Sequence, residues 1–234
     1  MKKGNKKKRV KKTLKKVINI MLISVMSICS WEVFKKQYAY YNNYKTYNQA
    51  QEERDNSDGI FEYLEDKDYD WITVSDTAID YPLVQGEDNE YYLTHDYLGN
   101  DDIAGSIYYD ANDEPYNGLL TVIYGHSMRS GSMFNNLHYF PKDHNKFKES
   151  MLTIYSNDDF TNYKPLGYTI YSGNDTDYRK IDNMSPEDAI AYLKEECDFY
   201  IDDIEYSEDS HIIGLVTCDY SIDNGRLIVF YISE

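Results

Sequence analysis

The chain has 234 residues, of which 41 are acidic and 24 basic, and its formal net charge is −17. Ten of the basic residues lie in residues 1–16, which contain no acid, so the rest of the chain has 14 basic residues against 41 acidic ones, a balance of −27. An acidic surface of this kind repels phosphates, which excludes nucleic-acid binding through general electrostatic attraction. The length suffices for one sizeable domain with an appendage.

An apolar segment follows the basic cytoplasmic segment of residues 1–16. Residues 17–34 are mostly aliphatic or aromatic but include Glu32. As a helix, the first part of this segment would span about 22 Å, against ~30 Å for a bilayer core. No Ala-x-Ala cleavage site follows, which favours an uncleaved membrane anchor over a signal peptide. The excess of basic residues then predicts a single-pass protein with a cytoplasmic N-terminus and residues 35–234 outside the cell.

The sequence next predicts a helical stalk and then a domain of short strands with a few helices. Residues 35–59 are polar, rich in tyrosine and free of proline, and the stretch 56–59 (Asn-Ser-Asp-Gly) should end their helix. Residues 60–234 form the predicted catalytic domain. Short apolar runs predict about eight strands, at 71–74, 78–84, 105–109, 119–124, 151–155, 166–171, 211–217 and 226–232.

Helical insertions are predicted at 89–93, 133–139 and 185–200. The last begins with Ser185 as a capping residue and Pro186 in the first turn. Many short strands with few helices indicate a mainly β fold, a closed or nearly closed barrel with N-terminal helices and one helix between the late strands.

Cys218 ends one predicted strand and Arg226 begins the next, and the Asn-Gly pair before Arg226 predicts a tight turn between them. The turn should hold a thiol and a guanidinium at the same rim. Positive charge favours the nucleophilic thiolate, and a guanidinium can stabilise an oxyanion. His126 lies just after another predicted strand and is a candidate general acid and base. Asp219 either orients His126 or is an ordinary turn residue.

Taken one at a time, these residues also fit ordinary roles as a buried thiol, an edge arginine and a loop histidine. The remaining histidines are predicted to be exposed or capping residues: His95, His138, His144 and His211. Cys29 lies in the anchor and Cys197 in the predicted helix at 185–200, so the cysteines are no disulfide scaffold, although a bond between Cys197 and Cys218 stays open. No Cys/His spacing indicates a metal, and nothing indicates a cofactor.

Several blocks of sequence resemble those of the class B sortases. Leu215-Val216-Thr217-Cys218 resembles the sortase signature Thr-Leu-x-Thr-Cys, with Gly214 where the first Thr usually stands, and Arg226 follows at the family's spacing. Residues 124–128 with 131–134 are similar to the block around the sortase histidine, and the Met-Phe pair in it is typical of class B. Further matches lie at 71–72, 79–85, 89–93, 104–107 and 185–200.

The resemblance implies an eight-stranded sortase-type β-barrel and a membrane-anchored cysteine transpeptidase of Gram-positive cell surfaces. In such an enzyme Cys218 would be the nucleophile, His126 the general acid and base, and Arg226 the group that stabilises the oxyanion and positions substrate. The substrates would be exported proteins with a C-terminal sorting motif of the Pro-x-Thr type. Cleavage after Thr would give a thioester, which an amine of peptidoglycan or of its lipid-linked precursor resolves.

Substrate contacts are predicted at Thr217, Tyr171 and Tyr178, with the loop 171–186 and the following helix as the wall that binds the motif. Two other functions stay open. A cysteine endopeptidase would use water as the acceptor, and a non-catalytic surface-binding barrel would use its acidic face.

Overall fold

The structure is a computed structural model that describes residues 2–115, 117–157, 159–174 and 178–233. The chain divides into two compact units, one up to Tyr44 and one from Lys45 onward. Helix α1 (Lys2–Asp55) is continuous from the basic segment to the end of the predicted stalk. It ends where the sequence predicts, before Gly59, whose φ of 135° is in the region that favours glycine.

The first unit is a single helix whose middle is long and apolar enough to cross a membrane. From Leu14 onward it contains a window with a mean hydropathy of 1.8, and none of that window is buried. Side chains such as Ile20, Ile23 and Met26 are more than 60% exposed. An apolar helix without a protein partner satisfies its backbone internally and leaves its side chains for lipid.

The second unit is a β-barrel. In the described part of the chain its strands are β1 (Asp70–Val74), β2 (Asp80–Gln85), β3 (Ile107–Tyr109), β4 (Leu120–Tyr124), β5 (Leu152–Tyr155), β6 (Phe160–Ser172), β7 (Phe199–Tyr200), β8 (Ile212–Cys218) and β9 (Gly225–Ser233). The order around the sheet is β5-β1-β2-β3-β4-β8-β9-β6, and β6 pairs back to β5. The closed ring confirms the predicted eight-stranded barrel, and β7 is a two-residue addition to β6.

Short helices cover the openings and one side of the barrel. They are α2 (Ile60–Leu64), α3 (His144–Glu149), α4 (Pro186–Glu196) and three 3-10 helices at Tyr91–Leu93, Phe134–Lys142 and Tyr178–Asn183. As predicted, the Ser185 hydroxyl caps α4 by accepting the Asp188 N–H at 3.1 Å.

Alternation along the strands creates two apolar layers. Side chains such as Leu215, Leu227 and Ile123 point into the barrel and form the interior core. Their neighbours Val216 and Ile228 point outward and pack under α4 and the 3-10 helix Tyr178–Asn183. The outer layer positions the candidate site, because Cys218 and Arg226 continue the same alternation at the ends of β8 and β9.

The structure corrects the end of the helix predicted over 185–200. Helix α4 ends at Glu196, and Cys197 is its extended C-terminal cap with ψ of 136°. The residues beyond it pair with β6 as β7. Pairing with an available strand edge therefore outweighs local helical preference in this segment.

Two further elements differ from the prediction. The strand predicted over 166–171 begins at Phe160, because its polar first half pairs with β5. A register shift beside Pro165 accommodates a residue that has no N–H to donate. The short helix α3 was not predicted; it begins where the Asp143 carboxylate accepts the N–H groups of Asn145 and Lys146.

Candidate active site

Strand register brings His126 and Cys218 to the same edge of the barrel. Strands β4 and β8 run parallel, with Tyr124 opposite Val216. The Gly125 N–H donates to the Val216 carbonyl at 3.1 Å, which extends the pairing beyond Tyr124. Two residues further along each strand stand His126 and Cys218. Although 92 positions separate them in sequence, adjacent parallel strands carry them to one level.

Arg226 joins them from the other side of β8. In the antiparallel hairpin of β8 and β9, Cys218 is directly opposite Arg226, as the sequence predicts. Asn224 has φ of 48°, and a Cβ on Gly225 would lie 2.6 Å from the Asp219 carbonyl oxygen, so the turn requires this Asn-Gly pair. We call the ends of β4, β8 and β9, at His126, Cys218 and Arg226, the rim.

The three rim side chains share the outer face of the barrel. Cys218 is two residues beyond Val216, and Arg226 is two residues before Ile228; both neighbours belong to the outer apolar layer. All three rim residues are partly exposed. Strand β6 extends this face, since its Tyr171 is opposite Arg226. A substrate on the outer face would therefore meet a thiol, an imidazole and a guanidinium in a row.

The guanidinium of Arg226 retains an uncompensated charge. Its Nη1 donates to the Gly225 carbonyl at 2.9 Å, a contact within its own turn. In the described part of the chain it forms no ion pair. A fixed positive charge in this position can stabilise an oxyanion formed beside the thiol.

A packed glycine and a carbonyl contact fix the orientation of His126. Its Nε2 lies 2.9 Å from the carbonyl oxygen of Leu93, at the end of the 3-10 helix Tyr91–Leu93. A carbonyl only accepts, so Nε2 carries a proton and Nδ1 is the nitrogen available for proton exchange. A Cβ on Gly125 would lie 2.7 Å from the buried Phe134 ring, so only glycine lets the strand end pack so closely.

The predicted substrate residues Tyr171 and Tyr178 meet beside the rim. Their rings pack edge to face with centroids 5.0 Å apart, and Tyr178 also packs against Phe230 of the outer layer. We call these two tyrosines with the 3-10 helix Tyr178–Asn183 the tyrosine wall. Part of the loop predicted as this wall, residues 175–177, lies outside the described residues.

A cluster of buried charges holds the tyrosine wall to the barrel. Arg179 forms ion pairs with Asp110, at 2.7 Å, and with Asp113, and both carboxylates are almost fully buried. The Tyr124 hydroxyl donates to Asp110 at 2.9 Å. Burial alone would raise the pKa of Asp110, but hydrogen bonds, including those from Tyr124 and Arg179, outweigh burial and lower it. The carboxylate is therefore held ionised where it anchors the wall.

Thr217, the third predicted substrate residue, is not brought to this face. Its side chain is 2% exposed and points into the barrel, and its hydroxyl oxygen has no hydrogen-bond partner among the described residues. Gly214 lies on the outer face but four residues before Cys218 along β8. A Cβ there would meet the Ile228 side chain at 3.2 Å, so this position packs against the outer layer and not against a substrate at the rim.

His138 is a site residue that the sequence did not single out. Its Nε2 donates to the carbonyl of Cys218 at 3.2 Å, and its Nδ1 lies 3.4 Å from an Asp219 carboxylate oxygen. The prediction that His138 is an ordinary exposed residue is therefore wrong. Asp219 does not contact His126; it pairs with His138 and accepts the Ser221 N–H at 2.8 Å, as a turn residue does.

Tyr108 is a second site residue without a signal in the sequence. It stands opposite Tyr124 in the pairing of β3 with β4, and its ring packs on Tyr124 with centroids 5.5 Å apart. Burial is the main reason that its pKa rises to about 12, and nearby Asp110 and Cys218 add to the rise. Tyr108 therefore remains a neutral phenol near the thiol at physiological pH.

All three cysteines are free thiols, so Cys218 is not tied to Cys197. Burial raises the pKa of Cys197 to about 12, which makes that thiol unreactive. No group of three or more His, Cys, Asp or Glu side chains in the described part of the chain is arranged to hold a metal ion. The rim thus brings together a free thiol, an imidazole and a guanidinium.

Comparison with known proteins gives this geometry a family. The model of the sortase domain family matches residues 72–231. The chain is 36% identical over 168 residues to sortase B of Listeria monocytogenes, and the match covers 68% of this chain and 66% of the relative, just under two thirds. It is 29% identical over 178 residues to sortase B of Staphylococcus aureus, covering 72% of each protein.

A solved structure shows the same fold. Sortase B of Bacillus anthracis superposes with a TM-score of 0.68 at 28% identity, and the match covers 84% of this chain and 98% of that one. The agreement extends to class, since these relatives are all class B enzymes.

Proposed function

The chain belongs to the sortase family of cysteine transpeptidases, and we propose that it cleaves a C-terminal sorting motif of the Pro-x-Thr type and joins the protein to a peptidoglycan amine. The observation that carries the proposal is the register of three neighbouring strands. It places His126, Cys218 and Arg226 at one level of one face. These residues supply a nucleophile, a proton carrier and a fixed charge, which acyl transfer requires.

In the first half of the reaction, the Cys218 thiolate attacks the main-chain carbonyl carbon of the Thr residue in the sorting motif. The electron pair of that carbonyl moves to its oxygen, and Arg226 stabilises the resulting oxyanion. His126 gives a proton from Nδ1 to the leaving amine as the C–N bond breaks. The acyl group is left on sulfur as a thioester.

The second half of the reaction reverses these proton movements. An amine of peptidoglycan or its lipid-linked precursor attacks the thioester carbon, and His126 takes a proton from that amine. The C–S bond breaks, an amide bond forms and Cys218 leaves as thiolate. Because the Leu93 carbonyl holds the ring in one orientation, the same nitrogen can serve both steps.

The tyrosine wall is the proposed binding surface for the sorting motif. Tyr171 presents its ring next to Arg226, on the face that Cys218 shares, and Tyr178, which is 6% exposed, packs behind it. Aromatic surface of this kind suits the ring of a proline. The buried pairing of Arg179 with Asp110 and Asp113 keeps the wall in position.

We also propose that the apolar part of α1 anchors the enzyme in the cell membrane, with the basic residues inside and the barrel outside. This orientation follows from the ten lysines and arginines that precede the span. Exported proteins and peptidoglycan precursors both occur at that outer surface. An enzyme fixed there would meet both substrates.

The test is a comparison of amine and water as acceptors. With a fluorescent peptide that contains the sorting motif, adding a short amine such as triglycine should increase turnover and give a ligated product. Hydrolysis alone with every cell-wall amine would support the endopeptidase alternative. Cleavage that persists unchanged in Cys218→Ala would overturn the catalytic assignment and leave a surface-binding barrel.

A further inference from the structure

A second groove opens on the other side of the rim from the tyrosine wall. Its cavity has a volume of about 720 Å³. Asp219 and Ser127, which follow Cys218 and His126, line it together with His138. Ile170, the neighbour of Tyr171, also lines it and packs with the interior core and not with the outer layer. The groove therefore borders the rim on the side away from the tyrosine wall, through the residues that follow Cys218 and His126.

The charge of this groove is opposite to that of the chain around it. Residues 126–148 contain four lysines or arginines and one acid, whereas residues 17–234 as a whole have a balance of −27. Two of those cations, Arg129 and Lys142, line the groove with exposed side chains. Neither forms an ion pair within the described residues.

The single acid in the lining does not neutralise these cations. Asp219 lies 3.4 Å from His138, and its other carboxylate oxygen accepts the Ser221 N–H. The ring of Tyr139, which is 46% exposed, extends the same wall. The groove thus combines two cations without ion-pair partners among the described residues, one of them Lys142 over the Tyr139 ring at 5.9 Å, with residues that directly follow the rim.

We propose that this cationic groove, lined by Arg129, Lys142 and His138, binds a carboxylate of the amine acceptor. The proposal rests on the proposed function, since it requires a thioester at Cys218. A sorting motif on the tyrosine wall leaves only the opposite side of the rim open to the second substrate. An acceptor that carries a carboxylate on the same short peptide as its amine could place the carboxylate in the groove while the amine reaches the rim.

Electrostatic attraction into the groove would orient the acceptor. With its carboxylate near Arg129 and Lys142, the amine nitrogen points to the thioester carbon at Cys218. Attack forms the C–N bond, transfers the amine proton to His126 and releases the Cys218 thiolate. Exposed ion pairs are each worth up to about 1 kcal/mol, so each cation should contribute at most about fivefold to acceptor affinity.

The experiment uses the full chain and two matched acceptor pairs, triglycine with triglycinamide and Nα-acetyl-lysine with its amide. In each pair only the carboxylate differs. Arg129→Gln/Lys142→Gln should raise the acceptor KM for the carboxylate member by about 5- to 25-fold and leave the KM of the amide member within about twofold. Lys148→Gln is the control, because it removes a cation of the same segment that does not line the groove.

The first half-reaction is followed separately, as thioester formation and hydrolysis of the sorting peptide without acceptor. This rate should be the same in the double variant and the native chain. Equal losses for acid and amide, or an equal effect of Lys148→Gln, would overturn the carboxylate site. If inorganic phosphate competes with the acceptors and the KM values of the acid and the amide respond equally to the double substitution, the groove binds a phosphate and not a carboxylate. A thioester that forms but is resolved by no amine would overturn both this inference and the transfer reaction, whereas absence of the thioester would identify failure of the proposed function itself.

Discussion

At the scale of single residues, the backbone of Cys218 is contacted by a histidine other than His126. His138 faces two acceptors, the Cys218 carbonyl and the Asp219 carboxylate. A neutral imidazole has one N–H, so both contacts are hydrogen bonds at once only when the ring is protonated. His138 is therefore a positioning residue, which acts on the thiol through the strand end that carries it.

Substitution of His138 should separate this positioning role from a general loss of stability. A hydrogen bond of this kind is worth about 1 kcal/mol, so His138→Ala should lower kcat for the sorting peptide about fivefold with little change in KM. His138→Gln retains an amide donor and should recover most of the loss. Steady-state kinetics with urea unfolding of each variant is the measurement. A Gln variant as impaired as the Ala variant at equal stability would contradict the assignment.

The residues of the rim were predictable, and their partners were not. Cys218 and Arg226 are linked by a local signal, the Asn-Gly turn, and His126 by the sequence block around it. The contact of His138 with the Cys218 carbonyl spans 80 positions, and the electrostatic effect of Cys218 on Tyr108 spans 110. Both depend on how the side chains are oriented in the closed barrel. The periodicity and spacing of residues in the sequence do not predict that orientation.

At the scale of elements, the tyrosine wall depends on charge as well as on packing. The pairs of Arg179 with Asp110 and Asp113 leave both carboxylates nearly inaccessible to water. Another contact of the same 3-10 helix joins the wall to β4, since the Asp182 carboxylate accepts the Leu120 N–H at 2.9 Å. Removal of one partner of a buried pair leaves the other uncompensated.

Arg179→Gln should therefore loosen the wall and reduce affinity for the motif. Because the arginine itself is 33% exposed, we expect a loss of about 1–3 kcal/mol in unfolding free energy, below the range for fully buried pairs. The KM for the sorting peptide should rise more than kcat falls. Lys194→Gln removes an exposed pair with Asp202 and should change stability little, so it serves as the control. Equal effects of Arg179→Gln and Lys194→Gln on KM would count against the conclusion that the ion pairs of Arg179 hold the tyrosine wall.

A buried histidine at the start of β8 makes the pairing of β4 with β8 sensitive to pH. His211 was predicted to be exposed, but it is 9% exposed, with Nδ1 3.0 Å from the Gly118 carbonyl and Nε2 2.9 Å from the Thr121 hydroxyl. Burial lowers its pKa below the ordinary value of 6.5. The folded state thus favours the neutral ring, which donates from Nδ1 and accepts at Nε2.

The sign of the pH effect follows from that shift. Because the pKa of His211 is lower in the folded than in the unfolded chain, its contribution to stability is complete above about pH 6.5 and is lost as the pH falls below that value. Urea midpoints measured from pH 8 to pH 5 should decline through this range. His211→Gln cannot titrate, so its midpoints should be flatter between pH 7 and pH 5.5. A parallel decline in both proteins would exclude His211 as the cause.

Elements with strong local patterns were predictable, whereas elements made by pairing were not. Apolar runs located the middle of each barrel strand, and Ser185 with Pro186 located the start of α4. The polar first half of β6 and the two residues of β7 become strands only because a neighbouring edge accepts their hydrogen bonds. A window of sequence does not contain that edge.

At the scale of the whole molecule, closure of the barrel creates the site. The pairing of β5 with β6 completes the ring, and the parallel pairing of β4 with β8 brings His126 beside Cys218. Strand number was predictable from the sequence, but the parallel pairing of β4 with β8 was not, because the two strands are far apart in the chain. Charge is likewise distributed at this scale, with the cationic groove set in an acidic domain and the basic residues collected before the apolar part of α1.

The central claim is that Cys218 becomes acylated by the sorting motif, and intact-protein mass spectrometry tests it most directly. Incubated with a Pro-x-Thr peptide, the native chain should gain the mass of the fragment that ends at Thr, on the peptide that contains Cys218. Hydroxylamine should remove the added mass as a hydroxamate, and Cys218→Ala should gain none. Peptide cleavage by the Cys218→Ala variant at the native rate, or an adduct located elsewhere, would contradict the account.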